Sequence, residues 1–207
     1  MREDRGPDWR RVDTCFCGDY AYYGHMTVMY CQGNRRSFWW GRQWALLGQA
    51  TMLEADIPGH GKCLIEHLVI DLNGTLAQDG ELVSGVAERL ERLAARLSIT
   101  VVTADTRGNA DTLVDRLPVS VFILKPGQEG EQKCALVHRL GRGKTVAIGN
   151  GANDAPMLRR SLLGICVLGR EGAAAAALRA AHVMVTDVND ALDLLLSPRR
   201  LVATLRR

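Results

Sequence analysis

From residue 66 onward, short apolar runs alternate with segments whose apolar residues recur three and four positions apart. The first kind of run predicts β-strands and the second predicts helices. Strands are predicted over 66–71, 99–103, 119–124, 145–149, 163–168 and 182–185. Helices are predicted over 88–97, 111–117, 131–140, 155–162, 173–181 and 188–196. This alternation is typical of β-α-β units, and strands apolar on both faces predict a three-layer, doubly wound (Rossmann-like) α/β fold with a parallel sheet.

The first 51 residues differ from the rest. All four tryptophans and all four tyrosines lie before residue 45, in a segment without a sustained helical or strand period. We interpret 1–51 as a poorly ordered extension, or as translated upstream sequence that is not part of a native protein starting at Met52. A metal site is a third interpretation, although its spacing is unusual for zinc; its ligands would be Cys15, Cys17, His25 and Cys31. A catalytic domain is then expected over 52–198, followed by a basic tail over 199–207.

Composition excludes several classes of protein. With 47% hydrophobic and 24% charged residues among 207, the chain can bury a core and is not disordered. No run approaches the roughly 18 apolar residues of a membrane span. A net charge of +3 does not indicate a nucleic-acid partner. Residues 1–11 are charged and do not resemble a secretory signal, so we expect a cytoplasmic protein with reduced cysteines.

Polar residues follow four of the predicted strands. They are Asp71 in DLNGTL, Thr103 in TAD, Lys125, and the segment 149–158, GNGANDAPML. Because the carboxyl ends of parallel strands meet at one edge, these groups should converge. A carboxylate there can attack phosphorus, and a pair of carboxylates can hold Mg²⁺. Turn N–H groups, a hydroxyl and an ammonium can bind phosphate oxygens, so the set favours phosphoryl transfer.

The four blocks, in this order, resemble the haloacid dehalogenase (HAD) superfamily of phosphatases and phosphotransferases. The finer likeness is to the phosphorylation domain of P-type ATPases, which carries D-K-T-G-T-L, T-G-D, a Lys and G-D-G-x-N-D-A-P. The chain also looks like a group of soluble proteins that resemble this domain. The resemblance covers about residues 64–190.

The resemblance implies a role for each matching residue. Catalytic roles fall to Asp71 as nucleophile, Thr103 and Lys125, with Lys125 expected to hold Asp71. Phosphate contacts fall to Asn73, Gly74, Thr103, Ala104 and Lys125. Ligands of Mg²⁺ would be Asp71, the Asn73 carbonyl, Asn150 and Asp154.

Two residues depart from the family pattern. Asn73 stands where superfamily phosphatases usually have an acid–base Asp, and an amide cannot shuttle a proton at neutral pH. We therefore predict an aspartyl-phosphate on Asp71 that hydrolyses slowly. Asn150 stands where most relatives have Asp, so metal affinity should fall. Both changes also fit a non-catalytic phosphate-binding or regulatory protein that retains the fold.

The intervals between motifs are short. Only 26 residues separate Leu76 from Thr103, enough for a flap hairpin and one helix. Neither a large cap domain nor the nucleotide-binding domain of an ion pump has room there or between Thr106 and Lys125. An uncapped site favours a bulky phosphorylated substrate or closure by a second subunit. The sequence does not identify the substrate, and a homo-oligomer stays open.

Overall fold

The computed structural model describes residues 52–59, 61–104, 114 and 116–206. The predicted extension 1–51, with the candidate ligands Cys15, Cys17, His25 and Cys31, lies outside this range. Most of the helix predicted over 111–117 lies outside it as well.

The centre of the described chain is a sheet of six parallel strands. In chain order they are β3 (His67–Asp71), β6 (Ser98–Thr103), β7 (Ser120–Ile123), β8 (Thr145–Gly149), β9 (Leu163–Val167) and β10 (Val183–Val185). Their order across the sheet is β10-β9-β8-β3-β6-β7, and every neighbouring pair is parallel. The predicted doubly wound parallel sheet is confirmed, and its carboxyl-terminal edge carries the predicted motifs.

Six helices of four or more residues accompany the sheet in the described part of the chain. They are α1 (Val86–Ala94), α2 (Glu129–Leu140), α3 (Ala155–Arg160), α4 (Ala175–Ala180), α5 (Val188–Leu196) and α6 (Pro198–Leu205). Successive strand side chains point to opposite faces. Leu68 and Ile70 of β3 belong to a core with α1, α5 and α6, whereas Val69 belongs to a second core with α2, α3 and α4. The sheet therefore lies between two helical layers.

Local sequence explains how α1 forms and how it is held against α5. Val86, Leu90 and Leu93 are spaced to form one buried face of α1. Arg89 of α1 makes two hydrogen bonds, 2.9 and 3.1 Å long, to the carboxylate of Asp193 in α5. This pair of bonds fixes how the two helices lie against each other on one face of the sheet.

A hairpin of two strands and one helix were not predicted. An antiparallel hairpin, β1 (Leu53–Ile57) and β2 (Gly61–Ile65), precedes the sheet. The predicted basic tail 199–207 instead begins as helix α6, whose Leu201 is buried in the core that includes the hairpin. Pro198 stands in the first turn of α6, where its missing N–H costs nothing. The folded domain therefore extends beyond residue 198, where we expected it to end.

The interval between Leu76 and Thr103 contains the flap hairpin and the single helix that its length predicts. It contains the small hairpin β4 (Ala77–Gln78) and β5 (Glu81–Leu82), then α1 and most of β6. None of the helices formed by the described residues is long and apolar enough to cross a membrane.

Candidate active site

Asp71 is the last residue of β3 and opens onto a pocket at the carboxyl edge of the sheet. It follows Val69 by two positions, so its side chain lies on the face covered by α2. The side chain is only 11% exposed. The pocket is about 280 Å³. Asp71 is thus a largely desolvated carboxylate that faces the pocket, which is where a small substrate group can approach it.

Lys133 lies between two acidic side chains. Its Nζ is 2.6 Å from Oδ1 of Asp71 and 2.5 Å from Oδ1 of Asp154, and the Lys133 side chain is 1% exposed. Lys133 precedes the buried residues Leu136 and Val137 of α2 by three and four positions, so it belongs to the inward-facing stripe of that helix. A single ammonium group therefore joins a strand end, a helix and the loop after β8.

Asp154 is bound through both of its carboxylate oxygens. Its Oδ2 accepts hydrogen bonds from the main-chain N–H groups of Asn150 (3.0 Å) and Gly151 (2.8 Å), while its Oδ1 binds Lys133. A β-carbon on Gly149 would lie only 2.5 Å from Cγ of Asp154, so a larger residue there would displace the carboxylate. Asp154 consequently fixes the shape of the loop 149–154.

Burial dominates the electrostatics of the pair. Desolvation, followed by the charge of Asp154, raises the pKa of Asp71 to about 7, although Lys133 and the Thr75 hydroxyl act in the opposite direction. Burial alone would lower the pKa of Lys133, but the two carboxylates outweigh burial and raise it above its ordinary value. Lys133 is thus a permanent cation beside an acid that titrates near neutrality.

Hydrogen bonds connect the loops around Asp71. The buried Thr75 hydroxyl donates to Oδ1 of Asn150 at 3.3 Å, and Nδ2 of Asn150 donates to the Gly172 carbonyl at 3.2 Å. Gly74 has a positive φ of 77°, which glycine adopts without strain. The DLNGTL loop and the loop after β9 are therefore tied together through Asn150.

The other predicted phosphate contacts lie nearby. Nδ2 of Asn73 donates to Oγ1 of Thr103 at 3.4 Å, and Thr103 itself is buried. Asn73, Ala104 and Asn150 line the pocket, which is also lined by Leu124, Gly151, Asn153 and Glu171. With the exception of Lys125, the predicted site residues come together at one edge of the sheet.

The side chains facing the pocket suit a hard divalent cation. Asp71, Asn150 and Glu171 offer oxygen donors, and none of the described residues that line the pocket offers sulfur or imidazole. The two buried carboxylates exceed the single ammonium by one negative charge, which a cation would offset. Within the described residues, no three His, Cys, Asp or Glu side chains are already arranged as a metal cluster. The donor set therefore fits Mg²⁺ bound partly through water.

The chain matches the family model of haloacid dehalogenase-like hydrolases over residues 13–161. The protein belongs to this family. The match begins inside the segment that the sequence predicts to be an extension. The finer likeness to P-type ATPases stays a prediction.

The chain is also similar to a curated protein and to several solved structures of HAD-type phosphatases. A Methanocaldococcus jannaschii protein named Uncharacterized protein MJ0073 is 52% identical over 63 residues, which are 30% of this chain and 68% of that protein. A cobalt-bound deoxy-D-mannose-octulosonate 8-phosphate phosphatase of Haemophilus influenzae superposes with a TM-score of 0.55 at 14% identity, covering 69% of this chain and 94% of its own. A 3-deoxy-D-manno-octulosonate 8-phosphate phosphatase of Moraxella catarrhalis, in complex with magnesium, phosphate and KDO, gives 0.52 at 15% identity with the same coverage. At such identities the two structures establish the fold alone.

The predicted contact between Lys125 and Asp71 is wrong. Lys125 is exposed, and none of the ion pairs among the described residues includes it. Its main chain is fixed by Gln132, which accepts from the Lys125 N–H at 3.0 Å and donates to its carbonyl at 2.9 Å. The chain then turns through Gly127 and Gln128, both with positive φ, and the ammonium comes from α2 instead.

One sequence signal could have identified Lys133. It occupies an inward position of an amphipathic helix, where a cation is found only if it is paired. Thr75 and Glu171 were also missed as site residues. Thr75 lies within the DLNGTL motif, whereas nothing in the spacing of Glu171 points to the site.

We expect Lys133→Met to lower the free energy of unfolding by about 3–5 kcal/mol at pH 8, because it leaves two buried carboxylates without a counter-charge. Lys125→Met is the matched control and should change that free energy by less than about 0.5 kcal/mol. Urea unfolding of both variants and the native chain measures the difference. Equal losses in the two variants would contradict the assignment of the buried cation to Lys133.

The raised pKa of Asp71 makes stability depend on pH. A carboxyl group whose pKa is about 7 when folded and 3.8 when unfolded stabilises the fold fully below pH 3.8, and this stabilisation is lost as the pH rises through 7. Asp71→Asn removes the titrating group. The free energy of unfolding of the variant should therefore rise relative to that of the native chain between pH 4 and 8, by up to about 4 kcal/mol. The test is to measure the urea unfolding midpoints of both proteins in the presence of a metal chelator at several pH values. A difference between the two proteins that stays constant with pH would refute the raised pKa.

Proposed function

We propose that this protein is an Mg²⁺-dependent phosphohydrolase of the HAD type that acts through Asp71. The observation that carries the proposal is the buried Asp71 carboxylate, bound on one oxygen by Lys133 and open to a pocket lined by further oxygen donors. Membership of a family of hydrolases supports the same reaction class.

The reaction would proceed in two displacements at phosphorus. First, a carboxylate oxygen of Asp71 forms a bond to phosphorus, the bond from phosphorus to the leaving oxygen breaks, and the leaving alkoxide takes a proton from water. Second, a water oxygen bonds to phosphorus, the bond from phosphorus to Asp71 breaks, and inorganic phosphate is released. Lys133 favours the ionised form of Asp71 and offsets negative charge that collects beside it.

The metal would be held by Asp71, the Asn73 carbonyl, Asn150 and Asp154. When bound, Mg²⁺ neutralises phosphoryl oxygens and orients them towards the nucleophile. Asp154 already uses one oxygen for Lys133 and the other for two main-chain N–H groups. We therefore expect Asp154 to act mainly by positioning the loop 149–154 and through water.

Asn73 determines which step is slow. Its amide lines the pocket and donates to Thr103, but an amide does not act as a general acid or base at neutral pH. Activation of the attacking water and protonation of the leaving group then depend on solvent. We infer that the aspartyl-phosphate forms more readily than it hydrolyses.

The substrate would be a phosphate monoester. Two structural neighbours bear the names of sugar-acid phosphatases, which supports phosphate-ester chemistry for this chain without identifying its substrate. The phosphoryl group would bind in the pocket of about 280 Å³ beside Asp71.

Turnover of p-nitrophenyl phosphate with Mg²⁺ tests the proposal. We expect Asp71→Asn to lower the turnover rate at least about 1,000-fold, because an amide cannot act as the nucleophile. Chelation of Mg²⁺ should stop the native chain as well. A lack of turnover and of beryllofluoride binding in the native chain would contradict the proposal and leave a non-catalytic protein with this fold.

Asn73→Asp should raise the rate of aspartyl-phosphate hydrolysis by about 10–100-fold, because it restores a proton-transferring group at that position. Single-turnover decay of the phosphorylated protein measures this rate. Asn153→Asp adds the same charge to another wall of the pocket and should not accelerate decay. Unchanged decay in Asn73→Asp, with Asp71 shown to be phosphorylated, would refute our account of the slow step.

A further inference from the structure

Glu171 lines the pocket of Asp71 although it belongs to none of the four motifs. It lies in the turn after β9, between Gly169 and Gly172. Among the described residues, no ion pair joins its carboxylate to a Lys or Arg. Glu171 is exposed, so its carboxylate is available to a group bound in the pocket.

The turn that carries Glu171 is built tightly. The N–H of Gly172 donates to the Gly169 carbonyl at 2.9 Å, and Gly172 has a positive φ of 80°. Asn150 then binds the turn at two points, with Nδ2 donating to the Gly172 carbonyl at 3.2 Å and its own carbonyl accepting from Ala174 at 2.8 Å. Glu171 is thus presented by a turn that is fastened to Asn150.

Gly74 shows how near the two side chains are. A β-carbon on residue 74 would lie 2.7 Å from Oε2 of Glu171, 2.8 Å from Nδ2 of Asn150 and 3.3 Å from Oδ1 of Asn150. The carboxylate and the amide therefore flank the same small space beside the DLNGTL loop. Glycine at position 74 keeps that space free of side-chain atoms.

The other described residues on this side of the pocket have little negative charge to offer a cation. Asn150 is neutral, and the oxygens of Asp154 are engaged by Lys133 and by the N–H groups of Asn150 and Gly151. Lys133 also offsets part of the charge of Asp71. The carboxylate of Glu171 is the group placed beside Asn150 that is both charged and unengaged by an ion pair within the described chain.

On the basis of the Mg²⁺-dependent function proposed for this site, we propose that Glu171 supplies to bound Mg²⁺ the negative charge that Asn150 lacks, either directly or through one water molecule. Oxygen is the ligand atom that this cation prefers, and it usually keeps several waters. The substitution at position 150 then shifts the anionic ligand to a neighbouring loop and does not remove it. A proton-transfer role in place of Asn73 is less well placed, since Glu171 adjoins Asn150 and the Asn73 amide is directed to Thr103.

Calorimetric titration of the metal-free 207-residue chain with MgCl₂ tests the proposal without depending on turnover. Glu171→Gln should raise the Kd for Mg²⁺ at least 10-fold. Asn150→Asp should lower it, and the double variant should return towards the native value. Glu91→Gln, which removes an exposed carboxylate from α1, is the control and should leave the Kd unchanged. Thermal melting in chelator confirms that all variants fold.

The outcomes separate the role of Glu171 from the phosphohydrolase function. Weaker binding in Glu171→Gln supports the role as a metal ligand even if the native chain turns over no phosphate ester. An unchanged Kd in Glu171→Gln overturns it, and does so equally if turnover falls, since the carboxylate would then act in proton transfer. Failure of the native chain to bind Mg²⁺ at millimolar concentration overturns both this role and the proposed metal dependence.

Discussion

The bridge from Lys133 to Asp71 and Asp154 is the interaction on which the site depends. Two carboxylates are brought to one buried point, where desolvation and their mutual repulsion would otherwise neutralise one of them. One ammonium group within 2.6 Å of both allows them to stay close. Because the three residues come from β3, α2 and the loop after β8, the same contact fixes the geometry of the pocket.

The parallel sheet explains why these groups can meet at all. Side-chain alternation sends Asp71 to the α2 face, since Val69 already packs there. On that face, the helix brings Lys133 and the loop 149–154 brings Asp154, which fits only because Gly149 has no β-carbon. The convergence of these charged groups thus depends on geometry that parallel α/β folds share, together with a few residues at the carboxyl edge of the sheet.

Asn73 and Asn150, the two residues that depart from the family pattern, have different consequences. In the proposed function Asn73 would limit proton transfer, because its amide, which donates to Thr103, stands where superfamily phosphatases usually have an acid–base Asp. In the proposed function Asn150 would lower the negative charge offered to a cation, and Glu171 lies close enough to Asn150 to compensate. A site of this kind would keep its capacity to bind phosphate and metal while releasing phosphate slowly.

Local patterns in the sequence predicted the fold class, most strands and helices, and three of the four motif blocks at the sheet edge. Apolar periodicity and polar residues at strand ends are signals that a few neighbouring residues carry. The β1–β2 hairpin and α6 were not predicted; both pack in a core that they share, and a sequence read segment by segment does not show this contact. Only the tertiary structure shows that Lys133, and not Lys125, pairs with Asp71 and that Glu171 lies beside Asn150. Which distant side chain pairs a buried charge depends on helix rotation and loop path, and these are set by packing across the sheet.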